Sequence, residues 1–372
     1  MTVGIVAEYN PFHNGHQYQI EQARKLTGAD TVAVVMSGNF VQRGEPAICN
    51  KWSRARMALS CGADLVVELP VCFAVRSAEP FARGAISILN SLGVDCVAFG
   101  SETDDLKLLK KAAKALLSEG EEESKIIREY MNKGFSYPAA VSKAYPDFSL
   151  ILDNPNSLLG VEYIKAGAKN PVAVLRKGVN HDGGAVDDFA SASFIRNNIQ
   201  DAEGFMPKPA YEILCKEHII PNHDKLSDIV LAKLRDEKGD TLKSICDVSE
   251  GIENRIIAAS KVVSNLGELY DLVKTKRFTH ARIRRIITNY ALGITKDFEE
   301  ATPEYVRVLG SNSKGFELLK KCQLPVITKT AGFENKMFKR EAYATDLYSL
   351  LFDDAVVRKG GKDFTTSPII IN

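Results

Sequence analysis

The sequence lacks the cysteine spacings that hold zinc or build a disulfide framework. Its seven cysteines are scattered, odd in number and never spaced C-x-x-C, which excludes a zinc knuckle and favours a reducing compartment. The N-terminus has no basic segment followed by a long apolar one, and no stretch reaches the length of about 18 apolar residues that a membrane span needs. We therefore expect a cytoplasmic protein without a membrane segment.

An excess of either charge is also missing. The chain has 48 Lys and Arg against 47 Asp and Glu, a formal net charge of +1, so any affinity for nucleic acid must come from local clustering. Two glycine-rich phosphate motifs are absent as well, since there is no G-x-x-x-x-G-K-[ST] loop and no G-x-G-x-x-G. Neither a P-loop NTPase nor a dinucleotide-binding enzyme is supported.

What is present is an alternation of short apolar runs and amphipathic stretches. The runs TVGIVAEY, TVAVVMSG, ADLVVELP and VDCVAFGS have the length and the Val, Ile and Leu content of buried parallel strands, and helical patterns separate them. A fifth strand, PVAVLR, follows a helical insertion over about 104–169. This pattern predicts an α/β fold, a Rossmann-like doubly wound parallel sheet, over residues 1–200.

From residue 201 the alternation of strand-like and helical stretches ends. Long helical patterns such as DKLSDIVLAKLRDE and ARIRRIITNYALGI dominate, so 201–372 is predicted to be a mainly α-helical C-terminal domain. The length of 372 residues supports a division into two domains. Two short apolar runs, EYVRVLG and LPVIT, flank one further helix and are predicted to pair as neighbouring strands.

The motif EYNPFHNGH follows the first predicted strand and opens a helix. Gly15 permits close approach of a ligand, and the unpaired N–H groups and positive dipole end of the helix point at the same place. His13 and His16 can donate hydrogen bonds there to an α-phosphate as it gains negative charge. The alternative is that both imidazoles only cap a helix, but the context of strand, motif and helix favours nucleotide binding.

A second motif, SASFIR, follows the fifth predicted strand. Ser191 or Ser193 is predicted to cap a helix, and Arg196 to reach a pyrophosphate group with its forked guanidinium. The alternative is an ordinary N-cap with a surface arginine. Beside the two histidines we favour the phosphate-binding role, so the predicted catalytic residues are His13, His16 and Arg196.

Five segments in this order, GIVAEYNPFHNGH, MSGNFVQRGEPA, FGSETDD, PNSLLGVEY and SASFIR, resemble the bacterial tRNA(Met) cytidine acetate ligase family, a branch of the HIGH-type nucleotidyltransferases. The resemblance implies that ATP and acetate form acetyl-adenylate. It further implies transfer of the acetyl group to the exocyclic amine of the wobble cytidine in elongator tRNA(Met), which gives N-acetylcytidine. Mg²⁺ is expected to neutralise the triphosphate, with no ligand predicted, and the choice of acetate follows only from the resemblance.

The resemblance also implies an ATP site, carried over motif by motif. Its members are Val6, Ala7, Glu8, Tyr9, Asn10, Pro11, Phe12, His13, Asn14, Gly15, His16, Gln17, Tyr18, Gln19, Gly100, Asn156 and Arg176, which Ser191 and Ser193 of SASFIR join. The sequence departs from the family pattern where Ser157 stands in place of a second Asn. It departs again at Val179 and Asn180, where small or aromatic residues are expected, and no role is assigned to these two.

Polar residues of the stretch SGNFVQRGEP follow the second predicted strand. Ligands bind at this end of the strands in open α/β sheets. The candidates for an acetate or cytidine pocket are therefore Ser37, Asn39, Gln42 and Arg43. A polar turn with a solvated arginine is the equally weighted alternative.

The segment 272–296 contains no Asp or Glu, although acids nearly equal bases over the whole chain. On a helix, Arg282, Arg285 and Asn289 share one face and the isoleucines another, so we expect a free basic face. Such a stripe favours RNA over an ordinary solvated surface. The predicted tRNA-binding residues are Lys274, Lys276, Arg277, Arg282 and Arg285.

Two other functions remain open from the residues alone. A small-molecule adenylyltransferase would leave AMP on its product, but it needs only the first domain. An RNA-binding protein with a vestigial nucleotide fold is opposed by the intact histidines, serine and arginine of the two motifs. The oligomeric state is not predicted.

Overall fold

The computed structural model describes residues 1–177, 184–216 and 220–372. Val179 and Asn180, to which no role was assigned, lie outside these residues. The strands, in chain order, are β1 (Thr2–Ala7), β2 (Thr31–Ser37), β3 (Phe40–Val41), β4 (Glu45–Pro46), β5 (Leu65–Leu69), β6 (Cys96–Ser101), β7 (Pro171–Leu175), β8 (Ala185–Val186), β9 (Phe189–Ala190), β10 (Val306–Ser311), β11 (Val326–Ile327) and β12 (Ile369–Ile370).

The five predicted apolar runs form the greater part of one sheet. The sheet order is β11-β10-β5-β2-β1-β6-β7, and β5, β2, β1, β6 and β7 are mutually parallel. Successive side chains of a strand point to opposite faces, so Val32 and Val34 lie in one core and Ala33 and Val35 in the other. Both faces are therefore covered, which confirms the predicted α/β, doubly wound arrangement.

Helices pack on both faces of the sheet and make up most of the C-terminal half. The predicted insertion over 104–169 contains α5 to α9 and includes a small separate core around Ile127 and Tyr145. Within the described ranges, no helix is long and apolar enough to cross a membrane. The helices are α1 (Asn14–Thr27), α2 (Lys51–Ser60), α3 (Val71–Ala74), α4 (Ala78–Ser91), α5 (Leu106–Leu117), α6 (Glu121–Asn132), α7 (Tyr137–Ala144), α8 (Ser149–Leu152), α9 (Pro155–Lys165), α10 (Ala192–Asn197), α11 (Lys208–Lys216), α12 (His223–Asp236), α13 (Asp240–Lys243), α14 (Ile252–Ser260), α15 (Leu266–Val273), α16 (His280–Leu292), α17 (Ser313–Leu319), α18 (Lys336–Ser349) and α19 (Lys362–Thr365).

The two apolar runs of the C-terminal half pair as predicted, because β10 and β11 are parallel neighbours with Val306 opposite Val326. Strand β10 also pairs antiparallel with β5, where Val308 lies opposite Val67, and β12 pairs with β10. The C-terminal half thus extends the sheet of the N-terminal half, which the sequence pattern did not indicate. The domain boundary near residue 200 stays a prediction.

A buried group of charges joins the two halves at this junction. We call Lys51, Glu68, Arg307, Glu341 and Asp363 the Lys51 cluster, and each of these side chains is at most 3% exposed. Lys51 Nζ lies 2.7 Å from Glu68 Oε1, 2.9 Å from Asp363 Oδ1 and 3.3 Å from Glu341 Oε1. Arg307 pairs with Glu68 at 3.2 Å and also with Asp363. The cluster therefore crosslinks α2, β5, β10, α18 and α19.

Candidate active site

A cavity of about 200 Å³ lies at the carboxyl ends of β1, β6 and β7, where open α/β sheets bind ligands. The N-termini of α1, α9 and α10 and the hairpin formed by β3 and β4 also contribute to its wall. The predicted residues that line it are Val6, Ala7, Glu8, Tyr9, Asn10, His13, His16, Gln19, Gln42, Arg43, Gly100, Asn156, Arg176, Ser191, Ser193 and Arg196. The fold thus brings both motifs to one cavity.

His13 and His16 stack on each other at the N-terminus of α1, with ring centroids 3.7 Å apart and 26° between the ring planes. Each ring accepts a backbone hydrogen bond. The Gly15 N–H donates to His13 Nδ1 at 3.1 Å, and the His13 N–H donates to His16 Nδ1 at 3.2 Å. A neutral imidazole that accepts at Nδ1 carries its proton at Nε2. Both rings therefore cap the helix and also keep an Nε2–H donor.

Burial keeps both imidazoles neutral. It lowers the pKa of His13 to about 3, and the charges of Arg176 and Arg196 act in the same direction. Burial likewise lowers the pKa of His16 well below its ordinary value, with His13 and Arg176 adding to the effect. Rings that stay neutral can donate hydrogen bonds but have no proton to release near neutral pH. This suits stabilisation of charge that develops on a phosphate.

Two arginines bring positive charge to the cavity. Arg196 Nη1 donates to the carbonyl of Asn10 at 2.8 Å, and Nη2 donates to Ser193 Oγ at 3.1 Å. Arg176 follows the end of β7. Burial lowers the pKa of both guanidiniums, and nearby carboxylates offset this only in part. Cations that have lost hydration without full compensation are suited to an anionic ligand.

The SASFIR segment forms α10, and its two serines have different tasks. Ser191 is the N-cap of α10, because its Oγ accepts a hydrogen bond from the Phe194 N–H at 3.1 Å. Ser193 instead accepts from Arg196. The first serine thus fixes the helix, and the second orients the guanidinium.

Glu102 is a residue of the site that the sequence analysis missed. One of its carboxylate oxygens accepts from Asn156 Nδ2 at 2.7 Å, and the other accepts from the backbone N–H and hydroxyl of Ser157 at 2.8 and 2.6 Å. Burial raises the pKa of this carboxyl, but the hydrogen bonds outweigh it and lower the pKa. Ser157, where the sequence departs from the family pattern, therefore helps to hold Asn156 at the cavity. The position of Glu102 directly after the fourth predicted strand was the available signal.

Arg54 is a second missed residue. It is fully buried and donates to the carbonyls of Glu8, Ser37, Gly38 and Cys49. Because Glu8 follows β1 and Ser37 ends β2, this one side chain ties together the strand ends beside the cavity. A single arginine within a helical pattern gives no sequence signal for such a role.

Part of the predicted ATP segment does not line this cavity. Phe12 is buried in the core, and Asn14 donates to the carbonyls of Asp188 and Gly204. A helix presents only one face to a ligand, so the segment reaches the cavity at intervals. Gly15 and Tyr18 line a smaller adjoining cavity. The members that do not line the larger cavity are Pro11, Phe12, Asn14, Gly15, Gln17 and Tyr18.

The residues predicted for an acetate or cytidine pocket divide into two pairs. Gln42 and Arg43 line the cavity. Ser37 and Asn39 do not line it, and both are fully buried. Asn39 donates to Thr345 Oγ1 at 3.1 Å and borders a separate cavity of about 480 Å³. Ser37 and Asn39 therefore do not join Gln42 and Arg43 at this cavity, because Ser37 is the buried last residue of β2 and Asn39 is held in the interior by Thr345.

The residues predicted to bind tRNA lie in different environments. Lys274 and Lys276 are exposed, and the Lys276 ammonium lies 3.4 Å from the centroid of the Phe135 ring. Arg277 pairs with Glu250 at 2.7 Å. Only the two lysines therefore have the exposed position that the sequence predicted.

The expectation of a free basic face on α16 is wrong. Arg282 donates to the carbonyl of Asp247 at 3.2 Å and to Ser249 Oγ at 2.7 Å. Arg285 lies 3.5 Å from the Asp247 carboxylate, and Asn289 is fully buried. Helical periodicity separates two faces but does not tell what packs on each, and here the loop 247–250 covers the basic one.

Helix α16 also packs on the β3–β4 hairpin. Thr288 Oγ1 donates to the carbonyl of Gly44 at 2.7 Å, and Arg284 pairs with Glu45. Gly44 has a φ of 74°, and a Cβ at this position would lie 2.6 Å from the backbone of Arg284. Because this hairpin also lines the cavity, α16 adjoins the candidate active site.

Known proteins match the chain over nearly its whole length. A family model described as HIGH Nucleotidyl Transferase matches residues 1–363. A tRNA(Met) cytidine acetate ligase of Acetivibrio thermocellus is 38% identical over 413 residues, which covers 100% of both chains. The protein of the same name from Caldanaerobacter subterraneus subsp. tengcongensis is 41% identical over 391 residues, which covers 96% of this chain and 97% of the relative.

Solved structures agree with these sequence matches. A crystal structure of Thermotoga maritima TmcAL in an apo form has a TM-score of 0.92 at 33% identity, covering 100% of this chain and 99% of that chain. The same protein bound with alpha-thio ATP has a TM-score of 0.89 at the same identity and coverage. These findings confirm the resemblance of the five segments. The chain belongs to the HIGH nucleotidyltransferases and, within them, to the tRNA(Met) cytidine acetate ligase family.

Proposed function

We propose that this chain is an ATP-dependent ligase that activates acetate as acetyl-adenylate and transfers the acetyl group to the wobble cytidine of elongator tRNA(Met). The observation that carries the proposal is the stacked, neutral pair His13 and His16, whose Nε2–H donors share a cavity with Arg176 and Arg196. Relatives named for this activity match the chain over its full length. A structure similar to this one holds an ATP analogue.

In the activation step, a carboxylate oxygen of acetate attacks the α-phosphorus of ATP. The bond from that phosphorus to the oxygen bridging the β-phosphate breaks, and pyrophosphate leaves with the electron pair. The Nε2–H groups of His13 and His16 donate to the α-phosphate oxygens, where negative charge grows, and such a donor is typically worth ~10²–10³ in rate. Arg176 and Arg196 pair with the phosphate oxygens of the leaving group.

In the transfer step, the exocyclic amine of cytidine attacks the carbonyl carbon of acetyl-adenylate. The bond from that carbon to the phosphate oxygen breaks, AMP leaves, and the amine gives up one proton. Gln42 and Arg43 are the proposed contacts for the acetyl group or the cytidine, because they line the same cavity. The Gln42 N–H donates to Glu8 Oε1 at 2.7 Å, which fixes the hairpin at the end of β1.

Mg²⁺ enters the proposal as the partner of the triphosphate, whose charge it would neutralise. In the part of the chain that the structure describes, no three His, Cys, Asp or Glu side chains are grouped to hold a metal ion. Mg²⁺ at nucleotide sites keeps water and phosphate ligands and needs only one or two carboxylates. Glu8 and Glu45 line the cavity and fit this requirement.

The two predicted domains divide this work. Residues 1–200 provide the cavity for activation, and 201–372 provide most of the proposed surface for tRNA. All seven cysteines are free, as is usual in a reducing compartment, and we propose that the enzyme acts in the cytoplasm.

Exchange of labelled pyrophosphate into ATP without RNA tests activation, and acetylation of tRNA(Met) by the same preparation tests transfer. The exchange should depend on acetate more strongly than on formate or propionate. Exchange that no carboxylate stimulates would favour a small-molecule adenylyltransferase. Tight tRNA binding without any exchange would favour a vestigial nucleotide fold.

A further inference from the structure

Two guanidinium groups share one carboxylate beside α16. Asp247 Oδ1 lies 3.9 Å from Arg76 Nε, and Asp247 Oδ2 lies 3.5 Å from Arg285 Nε. We call these three residues the Asp247 cluster. Arg76 is 4% exposed, and its Nε and Nη1 atoms are buried without a hydrogen-bond partner among the described residues. One of the two cations is therefore in excess.

The neighbouring acid does not remove this excess. Glu250 is already paired with Arg277 at 2.7 Å and with Arg282 at 3.5 Å. Four guanidiniums thus face the two carboxylates of the loop 247–250. A buried charge without a full partner is costly, and an orphaned buried donor calls for an explanation such as an ion or ligand.

The loop that carries the two carboxylates is also strained. Asp247 and Glu250 have φ values of 65° and 61°, in the left-handed region that residues other than glycine seldom adopt. Strain of this kind collects at ligand-binding sites. Strain and unbalanced charge therefore occur in the same short segment.

The arginines around the cluster extend from the protein surface into the interior. Exposure of the side chains decreases from 34% for Arg277 through 22% for Arg282 to 16% for Arg285. At the inner end, Asn289 Nδ2 donates to the carbonyl of Val75 at 3.1 Å, directly before Arg76. Helix α16 carries Arg285 of the cluster and also Arg284 and Thr288, which contact the hairpin that lines the cavity, so one helix connects the cluster to the candidate active site.

We propose that the Asp247 cluster, with Arg282, binds a phosphodiester group of the acceptor RNA. This inference rests on the proposed function. A phosphate that pairs with Arg282 and Arg285 draws Arg285 from Asp247, and the carboxylate then pairs with Arg76. After binding, the guanidiniums of Arg76 and Arg285 face two anions, the Asp247 carboxylate and the phosphate. Arg76 is thus a positioning residue, which acts on the RNA through Asp247 and Arg285.

The test compares Arg76→Met and Arg285→Met with the wild type in the full-length chain. Pyrophosphate exchange should stay within about twofold of wild type, because ATP activation does not involve the cluster. The Kd for tRNA(Met) should rise at least about tenfold in both variants. For Arg285→Met the slope of log K against log salt should fall by about 0.7–0.9, the value of one phosphate contact.

The melting temperature separates binding from folding. Arg76→Met should melt at or above the wild-type temperature, since Asp247 keeps Arg285 as a partner and a surplus buried charge is gone. Arg76→Lys, which keeps the charge, should restore most of the RNA affinity. The matched control is Arg255→Met, which removes an exposed arginine of α14 and should leave all readouts near wild type.

Three outcomes would overturn the inference. Unchanged tRNA affinity in both variants would show that RNA does not bind at the cluster. A lower melting temperature with equal loss of exchange and transfer would show that Arg76 has a structural role. A raised KM for ATP in the exchange reaction would show that the excess positive charge of the cluster serves to bind ATP. The proposed function fails separately, if the wild type itself neither exchanges pyrophosphate nor acetylates tRNA.

Discussion

The cavity and the Lys51 cluster both hold charged side chains away from water, but their charges are balanced differently. In the cluster, burial lowers the pKa of Lys51, yet the carboxylates of Asp363 and Glu68 more than compensate and the pKa is raised. In the cavity, burial lowers the pKa of Arg176 and Arg196, and neighbouring carboxylates do not restore it. The cluster stabilises its own cations, whereas the cavity leaves its cations in need of an anion.

The acids of the cluster complete the contrast. Three carboxylates face two cations there, and burial together with Glu68 raises the pKa of Glu341 well above its ordinary value. This direction favours the protonated form of Glu341, which leaves the carboxylates of Glu68 and Asp363 to balance Lys51 and Arg307 without a ligand. Burial of polar groups alone does not mark a functional site, whereas a buried set of unbalanced charges is a candidate for one.

The largest expected effect is the loss of stability when the Lys51 cluster, whose charges are balanced, is disrupted. Lys51→Met leaves three buried acids facing one cation, so the free energy of unfolding should fall by about 3–5 kcal/mol, measured by urea denaturation. Arg56→Met on the exposed side of α2 is the matched control, with an expected change within about 0.5 kcal/mol. Equal stability of Lys51→Met and wild type would mean that the cluster does not hold the two halves together.

The next largest effect is expected on the rate of activation, when the histidines of the cavity are replaced. His16→Ala and His13→Asn should slow acetate-dependent pyrophosphate exchange by ~10²–10³ and weaken ATP binding much less, because the lost donors act on charge that develops during the reaction. Asn at position 13 keeps an acceptor for the helix cap, so the fold is preserved. His223→Ala, at an exposed position, is the control. Wild-type exchange rates in both variants would show that the imidazoles take no part in the activation step.

A smaller effect is expected when charge is kept but geometry is lost. Arg196→Lys cannot make two parallel hydrogen bonds to phosphate oxygens, so exchange should slow by roughly tenfold. The melting temperature should change little. If exchange is unchanged, Arg196 serves only to hold Asn10 and Ser193, and the imbalance in the cavity has no catalytic meaning.

The smallest expected effect is a decrease in the free energy of unfolding as the pH is lowered below 6.5. The pKa of His13 is about 3 in the folded protein against 6.5 unfolded, so below pH 6.5 the unfolded state binds more protons and stability falls as the pH falls towards 3. At pH 6 this amounts to about 1 kcal/mol. Melting curves between pH 8 and 5.5 should therefore show a weaker acid dependence for His13→Asn than for wild type. Equal dependence would mean that His13 is not neutral and buried.

The sequence predicted those features that depend on short stretches of chain. The apolar runs identified the strands of the parallel sheet, and motifs at the strand ends identified His13, His16 and Arg196 as neighbours of one cavity, because parallel strands end at the same edge. It failed where partners come from distant segments. Nothing near Arg285 in sequence indicates Asp247, and nothing near Glu68 indicates Arg307.

The addition of β10 beside β5 also has a consequence for how the protein is made. Glu68 and Arg307 are separated by 239 residues, and synthesis proceeds at about 5–20 residues per second, so β5 emerges roughly 10–50 s before its neighbour. During that time its edge offers unpaired N–H and C=O groups to any other extended chain. We expect the nascent protein to need protection in this interval, and a ribosome stalled before β10 to release an aggregation-prone chain.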